Sequence, residues 1–287
     1  LATLHSEAIV LRAVDFGESD RIVHLLTPAA GRLPAIAKGA RRSRRRFPGT
    51  LDLMNLLAVQ IERRRPAALA RLEGARLLHT WEAIRADAAR FALGCYLLEL
   101  LDRLAPEGGA PGDLRRLFRF AVDALAWLDA EPPDARMRTL LELRALAALG
   151  LRPELLRCVR CGKAVAQPAG AVAFSIAEGG PVCAACAQTR GLAVALAVHL
   201  GTLRALDRAL DFPLSSVGRI ALGGAALEEA ARLVTRFLGF HVGVELQSRR
   251  ILDEQLTLPG GEGKLRPPLG RRDGRRGGTP ADAGGAS

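Results

Sequence analysis

Two cysteine pairs constrain this chain more than any other feature: Cys158-Val-Arg-Cys161 and Cys183-Ala-Ala-Cys186, with 21 residues between them. A CxxC turn aims two thiolates at one ion, and two such turns complete a closed tetrahedral shell. Cys158, Cys161, Cys183 and Cys186 are therefore the candidate ligands of one structural zinc ion (Zn2+) per chain. Two alternatives stand beside this reading. A pair of disulfides is disfavoured in a reducing cytosol, and four unrelated core thiols are disfavoured by the paired spacing. Four thiolates leave no position open for a substrate, so the ion would act as a staple for the weakly hydrophobic stretch from Val165 to Val182. Gly162 supplies the backbone freedom that the first turn needs. The fifth cysteine, Cys95, falls on an apolar helical stripe and is expected to pack.

The pattern before the cysteines changes character near Trp81. Ala8 to Leu11, Ile22 to Leu26 and Leu33 to Ala37 are short apolar runs separated by turn residues. Leu57, Val59 and Ile61 alternate with Ala58, Gln60 and Glu62, the period of a strand with one buried face. Roughly five strands in so short a segment suit a small closed barrel, which also removes exposed edges. Beyond Trp81 the spacing becomes helical, with Phe91, Cys95 and Leu98, then Leu114, Phe118 and Ala121, on single stripes. Asp113 and Asp134 stand where N-caps belong, and a third helix is expected to end at Gly150. Leu196, Leu200, Leu203 and Leu210 mark a further helix, and Leu227, Val234 and Leu238 another. The expected fold class is α+β. Residues 1–80 form the barrel, residues 81–256 a helical domain with a zinc module at 157–190, and residues 257–287 a disordered basic tail.

Charge is concentrated at the ends of the chain. Of the net +11, residues 1–79 carry 14 Lys+Arg against 7 Asp+Glu, while residues 80–256 carry 21 against 20. Lys38, Arg41, Arg42, Arg44, Arg45 and Arg46 place six positive charges in ten residues directly after a predicted strand. Such a run repels itself unless a polyanion lies along it, and a phosphate backbone would release condensed counterions there. A solvated charge run is the plainer alternative, but small barrels present loops that clamp single strands. Arg63, Arg64 and Arg65 would extend or end that surface. Phe16 and Phe47 are the local candidates for base stacking, and either could instead be core.

Signals for catalysis are weak. Gly260-Gly-Glu-Gly-Lys264 lacks the spacing and following hydroxyl of a phosphate-binding loop, and the five histidines are scattered. Glu228-Glu229 reads as a solvated helix face. No apolar run reaches the roughly 18 residues of a membrane span, and Leu1 to Ser6 lack the marks of a secretory signal, so a cytoplasmic, non-catalytic protein is expected.

The segment AIVLRAVDFGESDRIVHLLTPAAGRLPAIAKGARRSRRRF resembles the opening of the bacterial RecO family, above all in Gly17-Glu-Ser-Asp20, Leu26-Thr27, Gly31 and Ala37 to Arg42. The cysteine pairs and FLGFHVGVELQSRRIL from Phe237 to Leu252 extend the resemblance over residues 6 to about 256. The resemblance implies an N-terminal OB-fold barrel and a helical domain holding the zinc module. It also implies binding of single- and double-stranded DNA and annealing of complementary strands without ATP. Its partners would be RecR, the acidic tail of single-strand-binding protein and, indirectly, RecA. By position, Lys38, Arg41, Arg42 and Arg44 would belong to the family's DNA-binding surface, which Arg45 and Arg46 extend. The acidic tail is expected near Arg115, Arg116 and Arg119. The alternatives are a zinc-containing regulator that reads duplex DNA and a non-catalytic adaptor.

Overall fold

The structure is a computed structural model and describes residues 2–43, 45–63, 69–165, 170–190 and 195–243, with Leu246, Ser248 and Leu252 beyond them. Arg44, Arg64, Arg65 and the tail 257–287 lie outside the described residues.

Five strands close a barrel: β1 (Ala2–Phe16), β2 (Asp20–Thr27), β3 (Gly31–Ala37), β4 (Leu56–Arg63) and β5 (Ala70–His79). Their order, β1-β2-β3-β5-β4, is that of an OB-like barrel, antiparallel except between β3 and β5. β1 makes closure possible. Its first half pairs with β4 from Ala2 to Ile9 and its second half with β2 from Ile9 to Phe16, with a register shift between Val10 and Arg12 where the strand bends. The apolar run Ala8 to Leu11 is only the buried centre of this strand. Inward residues Val10, Val23, Leu25, Leu33, Leu57, Val59, Ile61 and Leu72 fill the barrel, as the alternation predicts, and Phe47 and Leu51 from the β3–β4 loop join them.

Four helices follow: α1 (Glu82–Ala86), α2 (Ala88–Leu104), α3 (Pro111–Ala130) and α4 (Met137–Ala148). The Asp134 carboxylate accepts from the Arg136 and Met137 amides and so closes the start of α4. Asp113 does not cap α3. The helix begins earlier, with Ala110 at the cap and Pro111 inside the first turn, so Asp113 sits within that turn and pairs with Arg116.

The cysteine segment folds as β6 (Ala171–Ser175), β7 (Gly180–Val182), α5 (Ala184–Arg190) and β8 (Ala195–His199), with sheet order β7-β6-β8. Leu196 therefore belongs to a strand, paired with Phe174, and not to the helix that its spacing suggested. Helix α6 (Leu200–Asp211) starts only where the strand ends, and α7 (Gly224–Val242) completes the bundle. Glu229 on α7 is also not solvated. It is 5% exposed and accepts from the Thr202 hydroxyl, the His199 amide and the His199 ring. Burial pushes its carboxyl up, but those donors outweigh it and leave the group below the ordinary range.

Barrel and helices share one seam. Ile9, Leu11, Leu26 and Met54 pack into the same apolar cluster as Trp81, Leu97, Leu101 and Phe118. Around it, Trp81 Nε1 donates to the Met54 carbonyl at 3.1 Å, and Arg85 donates to the Leu53 carbonyl and to Asn55 Oδ1. Gly31 (φ 67°) passes so close to α2's end that an added Cβ would lie 2.3 Å from the Pro106 carbonyl oxygen. No helix among the described residues is long and apolar enough to cross a membrane.

Candidate nucleic-acid interface and metal centre

The local fold brings the two cysteine pairs together. Cys158 and Cys161 occupy a tight turn in which the Gly162 amide returns to the Cys158 carbonyl at 2.8 Å, with Gly162 at φ 72°. Cys183 lies between β7 and α5, and Cys186 in the first turn of α5, so the second pair spans the entry to that helix. The Val159 amide donates to the Pro181 carbonyl at 3.0 Å and ties the first turn to β7. Arg160 grips Glu178 through two nitrogens at 2.8 and 2.7 Å and donates to the Cys186 carbonyl, locking the first turn against the second.

All four sulfur atoms lie within 4.8 Å of one another, and Cys161 and Cys183 Sγ are 3.8 Å apart. A tetrahedral ion with metal–sulfur bonds of about 2.3 Å separates its ligands by about 3.8 Å, so the donor set fits a metal ion. Burial raises the Cys158 thiol, yet amides of Cys183, Arg160 and Cys161 outweigh it and bring the thiol down to about 6. Cys186, donating to the Cys183 and Cys161 sulfurs, is pushed up to about 12. Cys95 stands apart on α2, and burial alone pushes it up to about 11.

On the barrel, the β3–β4 loop is anchored at two places. At its start, Lys38 Nζ pairs with Asp20 at 2.8 Å, the Gly39 amide donates to the same carboxylate at 2.8 Å, and the Arg41 amide donates to the Ser19 carbonyl at 3.0 Å. The Lys38 bond, the largest cause, and the Gly39 amide hold the Asp20 carboxyl down at about 2. Further along, the Ala75 amide on β5 donates to the Arg46 carbonyl at 3.1 Å, and the Arg46 guanidinium reaches back to the Lys38 carbonyl at 2.6 Å. The same guanidinium lies over the Phe47 ring, 5.2 Å from its centre.

The predicted basic residues therefore differ in kind. Lys38 and Arg46 hold the loop's shape, and Arg41 shares Asp15 with Arg21. Arg42 and Arg45 are exposed and have no carboxylate partner among the described residues. Phe47 is core at 4% exposure, whereas Phe16 stands 52% exposed at the β1–β2 turn. Arg21, Arg76 and His5, not singled out in the sequence, also line clefts beside this loop. No strict alternation marks them: β2 opens with three half-buried residues and β5 is exposed from Arg76 on.

On the helical domain, Arg116 and Arg119 border a groove of about 410 Å³ with Phe120, Leu210 and Leu214. Arg115 does not line it.

Residues 1–81 match the family model described as Recombination protein O N terminal, and residues 85–250 match Recombination protein O C terminal. A DNA repair protein RecO of Anaeromyxobacter sp. (strain K) is 42% identical over 246 residues, covering 86% of this chain and 94% of that protein. The DNA repair protein RecO of Geobacter sulfurreducens is 35% identical over 257 residues, covering 88% and 98%, and that of Symbiobacterium thermophilum 31% over 254 residues, covering 88% and 98%. With both halves matched in order and relatives aligned over nearly their whole length, the chain belongs to the RecO family of DNA repair and recombination proteins.

Proposed function

We propose that this protein is a non-catalytic recombination mediator that binds single- and double-stranded DNA and anneals complementary strands without ATP. With RecR it would help load RecA onto DNA coated by single-strand-binding protein, in the nucleoid of the bacterial cytoplasm. The observation that carries this reading is the anchored β3–β4 loop, which presents Arg42 and Arg45 without acidic partners on a closed five-stranded barrel. Annealing needs no covalent chemistry: two polyanions repel, and a fixed cationic surface that neutralises both lowers the barrier to pairing. Zinc is the metal that best suits four thiolates in a closed shell, and its role here is structural. The groove beside Arg116 and Arg119, lined also by Arg144, Arg152, Phe120 and Leu210 with Asp123 as its acidic member, suits an acidic peptide tail such as that of single-strand-binding protein.

The test is annealing of oligonucleotides coated with single-strand-binding protein. Wild type is compared with a variant carrying alanine at Arg41, Arg42, Arg44, Arg45 and Arg46. Annealing lost in the variant supports the reading; unchanged annealing removes the loop from it.

A further inference from the structure

The β3–β4 loop borders two clefts. The first, of about 780 Å³, is lined by Arg21, Arg41 and Arg42 above an apolar floor of Phe47, Pro48 and Leu51. The second, of about 520 Å³, is lined by His5, Arg45, Arg46, Gln60 and Arg76 along the outer faces of β1, β4 and β5. The loop's two anchors explain the division. Its first part is bonded to the β1–β2 turn through Ser19 and Asp20, and its second part to β5 through Ala75. Arg41 and Arg42 thus line one side and Arg45 the other, while Arg46 lines the second cleft with its guanidinium turned back to the Lys38 carbonyl. Asp15 pairs with Arg21 and Arg41 of the first cleft; among the described residues no carboxylate lines the second.

We propose that the two clefts are separate tracks for two unpaired DNA strands, with the arginine loop as the cationic partition between them. The proposal rests on the DNA-annealing reading and sharpens it. A single cationic patch binds one strand at a time, and the second must then arrive against the charge of the first. Two tracks on one chain instead hold both strands with arginine between their backbones, so each strand's phosphates are screened from the other's. Each cleft carries at least three basic side chains, Arg21, Arg41 and Arg42 in the first and Arg45, Arg46 and Arg76 in the second, which suits a phosphate backbone.

The experiment uses the full chain and two oligothymidylates, one donor-labelled and one acceptor-labelled, which cannot pair with each other. Wild type is expected to bind two strands per chain and to give energy transfer between them. The variant R21A/R42A empties the first track and R45A/R76A the second. Each should keep one bound strand with affinity within about threefold, lose the energy transfer and anneal complementary strands at least about tenfold more slowly. One strand per chain in the wild type, or annealing that falls only in proportion to affinity, would overturn the proposal. So would annealing restored by mixing the two variants, since that would place the strands on different chains. The underlying reading fails separately: if the combined four-residue variant binds DNA as tightly as wild type, the loop is not the DNA surface at all.

Discussion

His24 on β2 donates through Nδ1 to Asp102 on α2 at 2.6 Å, and the same carboxylate receives Arg32 of β3 at 3.5 Å, so one half-buried acid ties two barrel strands to the helical domain. Burial pushes the Asp102 carboxyl up, but the hydrogen bond and charge of His24 and the charge of Arg32 overcome it, leaving the group below its ordinary value of 3.8. A lowered carboxyl stabilises the fold fully above that ordinary value, and the contribution is lost as pH falls through the lowered one. Asp102→Asn keeps the shape and removes the charge. It is expected to cost about 1–2 kcal/mol near neutral pH, read from the urea midpoint. The gap to wild type should close on acidification below 3.8; a gap independent of pH would show that charge is not what ties the seam.

Gly31 tests the same seam sterically. Gly17 and Gly31 have nearly equal φ, 60° and 67°, but a Cβ at Gly17 meets nothing within 4 Å, while at Gly31 it meets the Pro106 carbonyl oxygen. Gly17→Ala should cost about 1–2 kcal/mol for the left-handed backbone alone. Gly31→Ala should cost a further ~1–3 kcal/mol, as overpacking does. Equal destabilisation, measured by thermal or urea unfolding, would mean that the β3 turn does not press on α2's end.

These contacts mark the limit of what the sequence discloses. The cysteine cluster was legible because two residues at fixed spacing carry their geometry locally, and the barrel strands were legible where alternation is strict, as at Leu57, Val59 and Ile61. Leu196 was misread because the strand β8 runs directly into α6, and residues 196, 200 and 203 keep a helical spacing across the junction. Nothing local separates Phe16 from Phe47; which one is buried depends on the loop returning to the barrel. The pairing of Lys38 with Asp20, and the burial of Glu229 under His199 and Thr202, are likewise products of tertiary approach. So is the difference between a loop-shaping lysine and a free arginine.

The metal centre predicts a separation among the cysteines. Cys158→Ser and Cys186→Ser should each lower bound zinc well below about one ion per chain and lower the melting temperature, because the closed four-thiolate shell is lost. Cys95→Ser should leave the metal content unchanged and cost only about 1–2 kcal/mol for a buried hydroxyl. Metal analysis of the purified variants, beside thermal melts with and without chelator, makes the comparison. A metal-free wild type of equal stability would remove the structural role assigned to the ion.

The loop predicts a difference between two basic residues that the sequence treats alike. Lys38 is already neutralised by Asp20 at 2.8 Å, whereas Arg42 has no carboxylate partner among the described residues. Only an uncompensated charge releases counterions when it meets phosphate. For the strand held in the cleft of Arg21, Arg41 and Arg42, Arg42→Ala should therefore reduce the slope of log affinity against log salt by about one, evenly across sequences. Lys38→Ala should change that slope by much less. Because Lys38 is the largest contributor to holding Asp20 at about 2, its loss should act through the loop's shape and appear as lower stability of the barrel. Salt titrations of binding, run with urea unfolding of the same variants, separate the two effects. Equal loss of slope in both would show that Lys38 leaves Asp20 for the phosphate backbone.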